Sequence, residues 1–361
     1  MDIGIPRERR PHESRVGLSP AGVASLTQAG HRVFVEHDAG AQANFRDADY
    51  ERAGATIAYS AAEVFGRADL LLKVARPLED ELDLIRARTI LAGFLHLSSA
   101  REAKLQILLD KQITAIAYEQ IEAADGTLPV LRPFSQIGGA MAAQIAARLL
   151  QNNWGGKGIL MGGLPGVPPA EVVVLGAGVV GTYATQTLLG MGAHVTVIDH
   201  NLGSLQRLWD RFPGCVTLLS TKRNVERSAA YADVLIGAVL VPGQRAPLLV
   251  TRDMVQSMRP RSVVMDVCID EGGCIETSRP TTHEHPVYIE EGMLHYCVPN
   301  MPAAVARTAT HAFVNAALPY IMEIAGGGEQ AVLGNPFIEP ALNTYKGDRR
   351  HLARFTAGGE L

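Results

Sequence analysis

The sequence predicts an α/β protein of two domains, each a parallel sheet flanked by helices. Three observations predict it. The chain has 361 residues, enough for two domains with separate cores. Its first third alternates strand-like apolar runs with helices that carry start signals, the pattern of a parallel sheet covered by helices. Residues 171–199, EVVVLGAGVVGTYATQTLLGMGAHVTVID, read as strand, glycine turn, helix and strand closed by an acid.

Taken in order, residues 3–5 form a short strand and residues 6–14 a charged loop with Arg7, Arg9 and Arg10. Ser19-Pro20 starts a helix, serine as N-cap and proline at the first helical position, and Gly30 supplies its end. Residues 31–36, 69–74, 89–96 and 113–119 are strand-like, and Ser60…Glu63 and Ser99…Glu102 both fit a capping box. Residues 125–129 break the alternation. A long helix with many small residues is expected over 133–153, and a Gly/Pro-rich loop over 155–169. Beyond Asp199 the apolar strands are 232–240, 262–269 and 294–298. A helix over 308–324 is expected to stop at Gly326-Gly327-Gly328, leaving residues 335–361 as a polar flap or lid.

The unit at 171–199 has a defined chemistry. In Gly176-Ala177-Gly178-Val179-Val180-Gly181, the first glycine allows the tight turn and the second lets the backbone approach a pyrophosphate. The third lets helix pack closely on strand. The phosphates then meet the free N–H groups and dipole of a helix N-terminus. Asp199, about 20 residues beyond the turn, is placed to accept hydrogen bonds from the adenosine ribose and to disfavour a 2′-phosphate. His200 beside it softens that bias. Strand, turn, helix, strand and acid in this order predict NAD as cofactor and a Rossmann-like domain around it.

Composition removes other classes. A net charge of −4 gives no basic face for nucleic acid or an anionic membrane, and no apolar run approaches the roughly 20 residues of a membrane span. Residues 1–6 lack the basic and apolar regions of a secretory signal, so a cytoplasmic protein is expected. Cys215, Cys268, Cys274 and Cys297 have no C-x-x-C spacing and read as buried free thiols; His283-Glu284-His285, between prolines, reads as a polar surface turn, so no metal is expected.

Ligands of open α/β sheets bind beyond the carboxyl ends of strands. Lys73, His96 and Asp270 close or nearly close the apolar runs 70–72, 90–95 and 263–269, which makes them candidates for chemistry. Asp266, inside its run, reads as a buried hydrogen-bonded group.

Gly4-Ile5-Pro6-Arg7-Glu8, Glu13-Ser14-Arg15-Val16, Lys73-Val74, Phe94-Leu95-His96-Leu97, Ala117-Tyr118-Glu119, Gly162-Gly163-Leu164-Pro165-Gly166-Val167, Gly237 to Gly243, Asp270-Glu271-Gly272-Gly273 and Asn300-Met301-Pro302 resemble, in order, the alanine dehydrogenase/transhydrogenase α-subunit family. The resemblance covers nearly the whole chain. It implies two Rossmann-like domains, 1–128 plus 309–361 for the substrate and 129–308 for NAD, with the substrate in a cleft between them. It also implies a homo-oligomer, expected as a hexamer, working in amino-acid catabolism. The implied reaction is the reversible NAD-dependent deamination of L-alanine to pyruvate and ammonium. Arg15 and Lys73 match the family's binders of the substrate carboxylate and carbonyl, and His96 and Asp270 its proton-handling pair. Ser135, Ser220, Val239, Leu240, Val298, Asn300 and Met301 join the glycines and Asp199 around the cofactor. The chain departs from the usual pattern at Ala75, Arg76, Gln136, Ala140, Pro299 and Ala306, which bears on the substrate more than on the reaction. Two alternatives follow the same residues: a dehydrogenase for another small amino acid or imine, and a non-catalytic NAD(H)-binding subunit that docks on a membrane partner. The set Arg15, Lys73, His96 and Asp270 argues against the second.

Overall fold

The computed structural model describes residues 1–241 and 245–352. Pro242 and Gly243 of the glycine-ended motif, and residues 353–361 of the expected flap, lie outside the described residues. Two compact units are present: Met1–Phe134 with the described part of Ala303–Leu361, and Ser135–Pro302. The first contains β1 (Asp2–Ile5), β2 (Arg32–Glu36), β3 (Thr56–Ala58), β4 (Leu70–Ala75), β5 (Ile90–Phe94) and β6 (Thr114–Ala117). The second contains β7 (Glu171–Leu175), β8 (His194–Asp199), β9 (Val216–Leu219), β10 (Val234–Gly237), β11 (Val263–Asp266), β12 (Val287–Glu290) and β13 (Met293–Tyr296). The chain then returns to the first unit with β14 (Leu342–Tyr345) and β15 (Asp348–Arg349).

The first sheet runs β15-β14-β6-β5-β4-β1-β2-β3, with β1 to β6 parallel. The second runs β12-β13-β11-β10-β7-β8-β9 and is parallel apart from the β12–β13 hairpin. In each the chain leaves its first strand in one direction and later resumes on that strand's other side, at β1/β4 and at β7/β10. Such a topological switch point is where an open α/β sheet leaves a crevice beyond its strand ends. The central strands are buried on both faces, so they read as continuous apolar runs such as Val172-Val173-Val174-Leu175.

Local chemistry explains most element boundaries. Helix Pro20–Gln28 starts where Ser19 accepts from the Gly22 amide at 3.3 Å and ends before Gly30, at φ +87°. Ser60 caps helix Ala61–Arg67 in the same way, through the Glu63 amide. The small residues of helix Arg132–Leu149 pack closely: a Cβ on Gly139 would lie 2.3 Å from the Val180 carbonyl oxygen on helix Val179–Gly190.

Three expectations are corrected. Ser99 caps no helix; its hydroxyl donates to the His96 carbonyl at 2.9 Å, and helix Glu102–Asp110 starts after Arg101. The glycine stop, by contrast, is present: the helix that begins at Ala306 breaks at Gly328 (φ 58°, ψ −144°), and a second helical piece runs on to Gly334. Asp266 is the final residue of β11, not an internal one. Finally, the described part of the flap holds a buried strand: β14 pairs antiparallel with β6, and two of its polar side chains donate inside the unit. Asn343 donates to Gln120 Oε1 at 2.6 Å and Thr344 to the Ile113 carbonyl at 2.7 Å.

Candidate functional site

In the second unit the glycine turn lies at the β7/β10 switch point. Gly176 takes φ +105°, and a Cβ there would meet the Ala238 carbonyl oxygen at 2.4 Å; one on Gly181 would meet the Gly176 carbonyl oxygen at 1.9 Å. Both are fixed by the protein's own packing. Gly178 differs: its φ is −72° and an added Cβ would meet nothing within 4 Å. Among the described residues nothing needs a glycine there, whereas a ligand drawn against the backbone would. Helix Val179–Gly190 begins at this residue with no side-chain cap on its amides, and an anion would complete it. The turn therefore fits a dinucleotide pyrophosphate.

Asp199 ends β8 beside the turn. Its Oδ2 accepts from the Ala177 amide at 2.6 Å and its Oδ1 from the Asn201 amide at 2.7 Å. An ionised carboxylate has about four acceptor positions, so these two bonds orient it and leave room for ribose hydroxyls. His200 Nδ1 stands 3.4 Å from Oδ1 and is largely exposed. The other proposed cofactor positions also follow strand ends. Ser220, just past β9, donates its amide to the Asp199 carbonyl at 2.8 Å. Val239 and Leu240 follow β10, and Val298, Asn300 and Met301 follow β13. Leu240 is half exposed, while Val298 and Met301 are buried in the unit's core. Ser135 lies on helix Arg132–Leu149, where Gln136 donates to the Tyr183 hydroxyl at 2.9 Å. Asp270 lies in a short turn of 3-10 helix after β11 and accepts from the Asn300 amide at 3.2 Å, so the ends of β11 and β13 are joined.

In the first unit the polar groups collect at the β1/β4 switch point. Lys73 does not end its strand; it lies inside β4 and is fully buried. Its ammonium is 3.1 Å from Glu81 Oε1 and 3.3 Å from Glu8 Oε2. A lysine in such a place keeps its charge only if paired, and an ammonium with three donors has one left after two carboxylates. Glu8 in turn accepts from the Val74 amide at 2.6 Å, and burial raises its pKa against the pull of Lys73. Arg15 is buried over the Phe134 ring, 4.3 Å from its centre. Its fork is not free: Nε and Nη2 already hold Glu13 at 2.7 and 2.5 Å. The Nη1 edge remains for a ligand carboxylate.

His96 lies two residues beyond β5 in left-handed backbone (φ 43°, ψ 46°), with half of its side chain exposed. That conformation is uncommon outside glycine and is held here from both sides. Glu119 accepts the His96 amide at 2.6 Å, and Arg76 donates to the His96 carbonyl at 2.7 Å. Glu119 Oε1 is also 3.8 Å from the imidazole Nδ1. Arg10 donates to the Arg76 carbonyl at 2.9 Å, and burial together with Arg10 lowers the Arg76 pKa. The acids Glu8, Glu13, Glu81 and Glu119 were not singled out for these roles from the sequence. The available signal was that a lysine or arginine in an apolar run needs an acid, but which acid depends on the fold.

The alanine dehydrogenase/PNT N-terminal domain model matches residues 4–138, and the alanine dehydrogenase/PNT C-terminal domain model matches residues 142–351. An alanine dehydrogenase of Methanococcus maripaludis is 48% identical over 351 residues, 96% of this chain and 94% of that one. One of Mycobacterium tuberculosis is 46% identical over 349 residues, with the same coverage of both chains. A solved L-alanine dehydrogenase superposes with a TM-score of 0.95 at 45% identity, covering 98% of each chain. A transhydrogenase from Sinorhizobium meliloti superposes with a TM-score of 0.83 at 26% identity, covering 98% of this chain and 100% of that one.

Proposed function

The chain belongs to the alanine dehydrogenase/PNT family, and from that premise we propose that it carries out the reversible NAD-dependent oxidative deamination of L-alanine to pyruvate and ammonium. The observation that carries the reading is that both halves of such a reaction have residues suited to them. A glycine turn left open at Gly178 suits the dinucleotide, and a buried Arg15–Lys73 group suits a small carboxylate.

Bound at the turn, NAD supplies a nicotinamide that accepts hydride from the amino-acid Cα. The chain's own groups do the rest. Gly176, Gly178, Val179 and Gly181 cradle the pyrophosphate, and Asp199 takes the ribose. Ser135, Ser220, Val239, Leu240, Val298, Asn300 and Met301 complete the lining, those with buried side chains through their backbone. The free Nη1 edge of Arg15 takes the substrate carboxylate, and the remaining Lys73 donor takes the carbonyl oxygen of pyruvate. Once hydride has left, water adds to the iminium carbon. His96 moves the protons as the carbinolamine forms and collapses, and Asp270 holds the water or the amine.

In this scheme His96 handles protons and does not hold the cofactor. His96→Ala is therefore expected to lower kcat by about 100- to 10,000-fold while NADH still binds. Near-normal turnover would remove His96 from the mechanism. We also propose a catabolic, cytoplasmic homo-hexamer. The buried free thiols support a reducing compartment, and the hexamer follows from the family resemblance. Light scattering on purified protein tests the assembly; a monomeric mass contradicts it.

A further inference from the structure

A group of side chains in the second unit that the proposed reaction does not use has the chemistry of metal ligands. Asp266, Cys268 and Cys274 are buried, and one carboxylate oxygen and the two sulfurs all lie within 4.8 Å of one another. The Cys268 thiol donates to Asp266 Oδ1 at 3.0 Å, and Cys274 Sγ lies 4.0 Å from the same oxygen. Asp266 Oδ2 is fixed by the amides of Cys274 and Ile275 at 3.0 and 3.1 Å, which leaves Oδ1 facing the sulfurs. Both thiols thus converge on one carboxylate oxygen.

The geometry is near what an ion needs. Tetrahedral zinc, bonded to sulfur at about 2.3 Å and to oxygen at about 2.0 Å, sets oxygen and sulfur about 3.5 Å apart. The two separations observed bracket that figure, each within about half an ångström. Small side-chain rotations would close the group. We propose that Asp266, Cys268 and Cys274 form a binding site for a thiophilic divalent cation of the zinc and cadmium class.

On binding, two S–H bonds break, two metal–thiolate bonds form, two protons pass to solvent, and no electron is exchanged. A hydrogen bond to Cys268, with burial, raises the Cys274 pKa. Cys268 keeps 7% of its surface exposed, whereas Cys274 is fully buried. The two cysteines also bracket Asp270, and the Cys268 carbonyl already accepts the Gly273 amide at 3.0 Å. An ion bound here would tie both ends of the segment that carries Asp270 and lower turnover. That consequence rests on the proposed role of Asp270; the binding itself does not.

Cadmium chloride titrated into the reduced, chelator-treated full chain tests the site. The expected result is about one cadmium per chain with a sulfur-to-cadmium charge-transfer band in the ultraviolet and about two protons released. Cys268→Ser, which keeps a donor to Asp266, and Cys274→Ser are each expected to lose the band, and Cys215→Ser to keep it. Circular dichroism and the melting midpoint show whether each variant is folded. If Cys274→Ser fails to fold, Cys268→Ser decides alone. No band in the parent chain, or an undiminished band in folded Cys268→Ser, would overturn the proposal. Because the readout is absorbance, it stands whether or not the chain turns over alanine.

Discussion

Two glycines of the same turn are predicted to fail in opposite ways when replaced by alanine. In Gly181→Ala the new methyl meets the Gly176 carbonyl oxygen at 1.9 Å, far inside ordinary contact, and that oxygen belongs to backbone. Helix Val179–Gly190 must back away from β7, an overpacking that costs about 1–3 kcal/mol. At roughly 2–4 °C per kcal/mol for a unit of this size, the melting midpoint falls by about 2–12 °C. In Gly178→Ala the methyl meets nothing within 4 Å and the φ of −72° suits alanine. The folded state loses nothing and the unfolded chain loses freedom, so stability rises by about 0.4–1 kcal/mol. The same methyl occupies the space assigned to the pyrophosphate, and NADH affinity is expected to fall at least about tenfold, or 1.4 kcal/mol. Thermal unfolding and an NADH fluorescence titration on both variants separate the effects. A Gly178→Ala protein that binds NADH like the parent would refute the placement of the pyrophosphate, and an unshifted midpoint in Gly181→Ala would refute the packing argument.

Two further predictions concern other parts of the chain. Arg76→Ala removes the donor to the His96 carbonyl, and kcat is expected to fall roughly tenfold through misplacement of the imidazole, with NADH affinity unchanged and partial recovery in Arg76→Lys; steady-state kinetics beside NADH titration reads this, and unchanged kcat in Arg76→Ala would end the positioning role. His295 is buried with Nε2 against the Thr277 hydroxyl at 2.7 Å and Nδ1 against the Met293 carbonyl at 3.2 Å, and burial lowers its pKa. The unfolded chain then binds the proton more readily, so this stabilisation is present above about pH 6.5 and is lost as pH falls toward the depressed folded pKa. The loss approaches about 1.4 kcal/mol per pH unit, and His295→Gln should flatten stability between pH 7 and 5 by about that slope in denaturant titrations. An equal slope in both proteins would assign the acid sensitivity elsewhere.

What could be read from the sequence was what is local. The glycine turn with Asp199, the Ser19-Pro20 start and the Gly30 stop each follow from a few adjacent residues, and all have the expected backbone. What could not be read depends on partners far along the chain. Lys73 lies inside a strand because Glu8 and Glu81 neutralise it there, which no apolar periodicity reveals. β14 read as polar flap because Asn343 and Thr344 are polar, and they are buried only because Gln120 and the Ile113 carbonyl accept from them. The break at Gly328 was legible in the three glycines, but the helical piece that resumes after it and runs to Gly334 was not. The Asp266–Cys268–Cys274 group gave no signal because its spacing matches no metal pattern and its third member, Cys274, is reached across a turn.

The most direct test is a nicotinamide-absorbance assay on the purified full chain, run with NAD+ and NADP+ across a panel of small L-amino acids. The account predicts NADH formation with L-alanine, faster than with other amino acids and faster than with NADP+. No reduction of NAD+ with L-alanine, alongside turnover of a different amino acid, would contradict it.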